Sequence, residues 1–304
     1  MVPPSSLSRR SYLVEVPTLI VALAIHALWF TLTAYAAALP WWLVAPFGAL
    51  LVAWHGSFQH ETIHGHPTPW RAVNAWFGSM PLGLWLPYGI YREQHEAHHR
   101  TPHLTDPLDD PESFYVSRET WTEMGALRRA FLHVNSTLAG RLVFGPPLVV
   151  VQFALGEVRL LLEGEFSRRR AQSWLWHVVG LGVLFAWLGL VCHLSLARYV
   201  LLFVYPGLAL TLLRSFIEHR PAAVPEHRVG IVEAGRLWSL LYLNNNLHVV
   251  HHEAPWVPWY ELPALYRARR RAVLESNGGF VFAGYLAVAA RFAFRPKDSP
   301  VHPW

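Results

Sequence analysis

The chain has 304 residues, 53% of them hydrophobic and only 15% charged, with 15 Trp, a composition too apolar and too aromatic for an ordinary soluble domain. Its 25 Lys and Arg outweigh 20 Asp and Glu, yet the basic residues cluster beside apolar runs and form no nucleic-acid motif, which excludes nucleic acid as a partner and points to a lipid bilayer. One cysteine, Cys192, forms no internal disulfide and is read as a small apolar packing residue.

In chain order, apolar runs are weighed against the roughly 20 residues that cross a bilayer. The first extends from Tyr12 to Leu39 and the second from Trp41 to Phe58, parted by the turn at Pro40, which predicts a transmembrane hairpin. The first run is longer than a signal core and lacks a clean cleavage site, so it is expected to be retained. Ala72 to Tyr91 is apolar but broken by Gly78, Pro81, Gly83 and Pro87, predicting a re-entrant or interfacial pair of short helices. Val143 to Leu162 is read the same way. The third span runs from Trp174 to Leu194 and the fourth from Tyr199 to Ile217, a second hairpin broken by Ser195 and Arg198. Gly279 to Phe294 reads as an interfacial helix. No repeat or linker interrupts residues 1–304, so one domain is expected. The predicted fold is an all-α integral membrane protein: four transmembrane helices in two hairpins, interfacial helices, and a cytoplasmic histidine-rich metal-binding region.

Orientation follows from Arg9 and Arg10 before the first span, Arg168, Arg169 and Arg170 before the third, and Arg214 and Arg220 around the end of the fourth, all assigned to the cytoplasmic side. Arg267, Arg269, Arg270 and Arg271 then meet anionic headgroups on that side. Both termini and the site are expected to be cytoplasmic, in a bacterial inner membrane.

Three histidine clusters carry the chemistry: His60 and His64 in HETIH, His95, His98 and His99 in HEAHH, and His248, His251 and His252 in HVVHH. Spacings of three and four place imidazoles together on helix faces. Eight are more than one tetrahedral zinc requires, and adjacent imidazoles are costly to bury without a metal. They imply a dinuclear transition-metal site, expected to hold iron. HETIH also matches the zinc-peptidase signature, but the other two clusters have no role in a peptidase. A metal transporter would need ligands along its spans, where the sequence offers only His26, His55, His177 and His193. His219, in RSFIEHR at the end of the fourth span, reaches the same depth and is a ninth candidate ligand. His133, His227 and His302, like His26, His177 and His193, are read as packing, surface or interfacial residues; His55, His66 and His103 flank the motifs. Asn244, Asn245 and Asn246 precede the third cluster, with Asn244 four residues before His248 and suited to orient its ring or a bound water. Glu61, Glu96, Glu218 and Glu253 adjoin cluster histidines, and Asp106, Asp109, Asp110 and Glu112 follow the second; they are candidates to accept the second N–H of ligating imidazoles, with direct ligation left open.

At these residues the chain resembles the membrane fatty acid desaturase superfamily, whose boxes HxxxH, HxxHH and HxxHH match HETIH, HEAHH and HVVHH in order and position. HRTPHLTDPLDDPES and NNNLHVVHHEAPWVPWYELP look most like its bacterial desaturase-like branch. The resemblance spans about residues 12–275. It implies that His60, His64, His95, His98, His99, His248, His251 and His252 bind two iron ions, with His219 at the family's extra position, O2 as co-substrate and no catalytic residue beyond the metal centre. No HPGG haem motif is present, so a separate electron donor such as a ferredoxin with its reductase is expected. The implied activity is that of an oxidoreductase: a desaturase of a fatty acyl or other lipid-like chain, or, on the same site, a hydroxylase or ketolase, or a desaturase of a small amino-acid-derived or natural-product substrate.

Overall fold

The computed structural model describes residues 14–304; Arg9, Arg10 and the start of the first apolar run lie outside the described residues. Helices α1 (Val16–Tyr35) and α2 (Trp41–Ile63) form the first hairpin, followed by the short α3 (Arg71–Gly78) and α4 (Tyr88–His98). Next come α5 (Arg118–Glu123), α6 (Ala126–Asn135) and the long α7 (Leu138–Leu162). Helix α8 (Arg168–Ala186) continues through a π turn to Val191; the chain then reverses into α9 (Leu196–Tyr199), a second π turn and α10 (Tyr205–Glu218). Four short helices, α11 (Arg236–Leu241), α12 (His248–Glu253), α13 (Leu262–Ser276) and α14 (Tyr285–Phe292), complete the all-helical body. Among the described residues the sole sheet is β1 (Ile231–Val232) parallel to β2 (Val281–Phe282). Helix starts are marked in the sequence: Ser117, Thr137, Ser167 and Ser195 each accept a backbone N–H of the first turn, satisfying donors that have no partner within the helix.

Helices α2 and α10 lie side by side and run in the same direction. A Cβ on Gly48 would fall 2.8 Å from the Leu202 carbonyl oxygen, and one on Gly207 2.6 Å from Val52 Cβ, so the two backbones touch where side chains are missing. Around this pair packs a core that includes Trp29, Phe58, Leu82, Tyr199 and Phe203. Trp29 N–H donates to the Tyr199 hydroxyl (3.0 Å), which donates to the Leu82 carbonyl (2.9 Å), and His177 donates to the Leu84 carbonyl (2.8 Å). The segment between α3 and α4 therefore inserts among the long helices, with its backbone carbonyls satisfied by side chains, as buried polar groups require. Of the short-helix pair predicted for Ala72 to Tyr91 the structure shows α3 and the first turn of α4, joined by this irregular segment.

Among the described residues five helices are long and apolar enough to cross a membrane: Val16–Tyr35, Trp41–Ile63, Leu138–Leu162, Arg168–Val191 and Leu196–Glu218. The third of these departs from the sequence reading, which took Val143 to Leu162 for a re-entrant or interfacial pair of short helices. Pro146 and Pro147 sit inside α7 without ending it. The arrangement of its ends is informative. The Arg141 guanidinium, near the start of α7, lies 4.0 Å from the Phe114 ring centroid and 5.9 Å from that of Phe216 in the last turn of α10. Sixteen residues on, Glu157 accepts from Arg170 (2.9 Å), in the first turn of α8, and from Trp174 (2.8 Å). The end of α10 and the start of α8 lie at one end of the helical bundle, because α8 runs away from it and α9 and α10 return. Arg141 thus packs at the end of α10 and Glu157 at the start of α8, while between them the Val143 carbonyl accepts the Tyr205 hydroxyl from the first turn of α10. At eight residues α14 is far short of a span.

Candidate metal centre

Four helix ends meet at that end of the bundle. His60 lies in the last turn of α2 and His64 caps it; His95 and His98 occupy the last turn of α4 and His99 caps it. His219 caps α10 in an extended conformation (φ −133°, ψ 150°), and His248, His251 and His252 all lie on α12. Helix α4 is tied to α2 by the Thr62 and Tyr88 hydroxyls (3.0 Å) and to α8 by Arg170 on Glu93 (2.9 Å). The approach to α12 is fixed by Asn246, whose carbonyl accepts the Val232 N–H of β1 (2.8 Å) and whose side-chain amide donates to the Val232 carbonyl (2.7 Å).

The nine predicted histidines converge in two groups, His60, His64, His95, His99 and His251 in one, and His98, His219, His248 and His252 in the other, with the donor atoms of each group within 4.8 Å of one another. The division follows helix geometry. Residues four apart share a face, so His95 and His99 of α4 turn to the first group and His98 to the second, while His248 and His252 of α12 turn to the second and His251 to the first. Nε2 atoms approach at 3.0 Å (His64 to His95) and 3.1 Å (His99 to His251) in the first group. In the second they stand at 3.0 Å (His219 to His248) and 3.1 Å (His98 to His219, and His248 to His252). Nitrogen donors at right angles, each about 2.1 Å from a transition metal, are about 3 Å apart. Both ring nitrogens of His60 are buried without a partner, the condition a bound cation relieves. The donor set fits two metal ions.

Carboxylate and amide oxygens hold several rings from behind. His95 Nδ1 donates to Glu112 (2.8 Å), His98 Nδ1 to Asp110 (2.8 Å) and His248 Nδ1 to Asn245 (3.0 Å), leaving each Nε2 free for the centre. The second oxygen of Asp110 accepts Thr105 N–H (2.8 Å), and the Asn245 amide donates to Glu218 (3.2 Å). Glu218 itself stands 3.5 Å from His248 Nδ1. Glu61 lies 3.9 Å from His60 Nδ1 and accepts Trp259 N–H (3.2 Å), so its carboxylate faces backbone. Glu96 departs from expectation: on the flank of the histidine face of α4 it is partly exposed and lies 3.7 Å from Arg100 rather than behind a ring. Glu253 likewise pairs with Arg269 (2.8 Å), and Asp109 with His103 (2.6 Å). Asn244 is also displaced from its predicted place. Leu243 and Asn244 have left-handed φ of 47° and 56°, so no helix carries residue 244 onto the face of His248. Its amide donates to the Trp259 carbonyl (2.9 Å), and Asn245 orients the ring instead. Of the remaining histidines, His302 contacts Thr105 (3.2 Å) and His66 contacts Glu15 (2.5 Å).

Protonation distinguishes His98 within its group. Burial opposes its charge, but Glu112, Asp110 and Glu218 outweigh burial and raise its pKa to about 9. His219, His248 and His252 are held well below the ordinary value, by burial first and neighbouring imidazoles second. A metal binds only the unprotonated ring, so below about 9 a metal entering this group must displace the His98 proton. Its affinity is expected to rise by up to tenfold per pH unit between about pH 7 and 9 and then level. Chelator competition across that range measures the slope; a flat profile contradicts it.

The profile described as fatty acid desaturase matches residues 34–284. Zeaxanthin 4-ketolase of Chlamydomonas reinhardtii is similar at 25% identity over 280 residues, covering 84% of this chain and 54% of the relative. The chain thus spans about half the length of the curated relative it matches.

Proposed function

The chain belongs to the fatty acid desaturase family, and from that premise we propose that it is an O2-dependent enzyme that introduces a double bond into a fatty acyl or other lipid-like chain. Family and relative alike indicate an oxidoreductase and support the membrane di-iron class. The observation that carries the reading is the pair of histidine groups at the ends of apolar helices. In this reading His60, His64, His95, His99 and His251 hold one iron, and His98, His219, His248 and His252 the other. Iron bound there supplies the one-electron and oxygen chemistry that side chains lack. The chain's own part is to fix those imidazoles through Glu112, Asp110 and Asn245, and to exclude water with the apolar helices around them.

A lipid-like substrate is supported by a cavity of about 500 Å³ between α1, α2 and α11, lined by Leu28, Leu32, Leu50, Leu51, Trp54 and Leu241 among others. Trp54 lies six residues before His60, about 9 Å along α2. The second reading is hydroxylation or ketolation on the same site, favoured by the ketolase relative, or desaturation of a small amino-acid-derived or natural-product substrate. A separate donor such as a ferredoxin with its reductase supplies the electrons. The purified, iron-loaded protein, given reductant, O2 and candidate lipids or small molecules, decides between them by product mass: loss of two hydrogens for desaturation, gain of oxygen for hydroxylation or ketolation. Oxygen uptake that no substrate stimulates and that yields neither product contradicts both.

The proposed topology keeps four crossings. Between His98 and His219 lie α7, α8 and the rod of α9 and α10, and the two histidines share a site only if an even number of these cross. With Arg141 at the end of α10 and Glu157 at the start of α8, α7 is proposed to lie along the cytoplasmic surface, where the positive-inside tendency also places Arg168, Arg169 and Arg170. In a Cys192→Ser background, Glu123→Cys and Gly164→Cys, on either side of α7, are expected to react with an impermeant maleimide from the same side, and Ser195→Cys from the other. Labelling of residues 123 and 164 from opposite sides contradicts this topology.

A further inference from the structure

Of the 25 basic residues only one is a lysine, Lys297, and it lies outside every histidine motif. Its side chain is only 12% exposed, and its ammonium donates to the backbone carbonyl of His219 while lying 3.3 Å from Asp298 and over the Phe216 ring. Among the described residues His219, like His60, has no acceptor behind its ring. His95, His98 and His248 each have Nδ1 held by an acceptor, whereas Nδ1 of His219 is buried with no partner. Nothing at the back of its ring sets the orientation, so the backbone must. On one edge that backbone pairs with the next segment, Gly230 N–H donating to Glu218 O (2.9 Å) and Arg220 N–H to Arg228 O (3.0 Å). The carbonyl of His219 itself is left to Lys297.

The lysine is anchored in turn. Its own N–H donates to Ser136 O (2.9 Å), and Asp298 accepts the Tyr115 hydroxyl (2.7 Å). Further along, Val116 N–H donates to Pro300 O (3.0 Å) and His302 N–H to Val116 O (2.9 Å), with His302 touching Thr105, the donor to Asp110. Residues 297–302 therefore bind together the loop that presents Asp110 and Glu112 and the end of α10 that presents His219. We propose that Lys297 is a positioning residue for the second metal group: by clamping the His219 carbonyl it helps the backbone pairing aim a ring whose Nδ1 meets no acceptor. The inference rests on the proposed two-metal reading.

The test uses full-length, metal-free protein in detergent, titrated with Co(II) as an optical probe and, separately, loaded with iron-57. Lys297→Met is expected to weaken one of two Co(II) sites by roughly 10- to 100-fold, the cost typical of losing a group that orients a ligand, to leave the other site unchanged, and to lose one Mössbauer signal. His219→Ala should remove the same site. Lys297→Arg, which keeps a cationic donor, should retain both, as should Arg295→Ala on the exposed surface. Melting of the metal-free protein separates positioning from bracing. A Lys297→Met protein with two normal sites, or one that loses both sites together with its metal-free stability, overturns the proposal. If the unmutated protein binds fewer than two ions, the two-metal reading fails first, and the inference falls with it.

Discussion

Replacing His64 with alanine is expected to abolish turnover and remove one iron, and replacing His252 is expected to abolish turnover and remove the other. The two histidines belong to separate groups, His64 with His60, His95, His99 and His251, and His252 with His98, His219 and His248. Each substitution deletes a donor whose Nε2 stands about 3 Å from another imidazole of its own group. Activity should fall to background in both, because the reaction draws on both ions, while the Mössbauer spectra should lose different signals. Glu112→Gln, which weakens the acceptor behind His95, should cost a smaller 10- to 100-fold in metal affinity. Arg128→Ala, on the exposed face of α6, should change neither iron nor rate. If His64→Ala and His252→Ala lose the same signal, the division into two groups is wrong.

Gly207→Val is expected to cost folding stability and metal content together. Any Cβ at residue 207 meets Val52 Cβ at 2.6 Å and comes within 3.1 Å of the Ala49 carbonyl oxygen. Both belong to α2, and an α-helix backbone has no room to yield. Overpacking of a close-packed interior typically costs about 1–3 kcal/mol, and here the strain is relieved by moving α10 off α2. That shift carries His219 away from His60 and His64. Melting of the detergent-purified protein should fall by several degrees and iron per chain should drop below two. Gly182→Val, where nothing lies within 4 Å of a new Cβ, should do neither. A folded Gly207→Val protein with both irons and unchanged melting contradicts the packing argument.

The contrast between these sites and the rest of the molecule shows what sequence carries. The box histidines were legible because spacings of three and four are set by the helix itself, and the same rule divides HEAHH and HVVHH between two groups. His219 was legible from membrane depth alone. Asp110 and Glu112 were readable as candidate acceptors because they follow the second box closely, whereas Glu96, inside the box, lies behind no ring. The preference for Asn244 over Asn245 failed because it assumed helix through residues whose φ is positive, and nothing in three consecutive asparagines marks that turn. The composition of α7 shows apolar length but not direction; its placement depends on Arg141 and Glu157 meeting partners distant in sequence. Lys297 escaped notice for the same reason, since its 78-residue separation from His219 leaves no local pattern. Gly48 and Gly207 have meaning only once α2 and α10 are known to touch.

Iron content of the detergent-purified protein, measured by mass spectrometry and paired with Mössbauer spectroscopy on iron-57-loaded material, tests the two-metal reading most directly. The nine-histidine arrangement predicts about two irons per chain. A single zinc per chain that iron does not replace on reconstitution would contradict it.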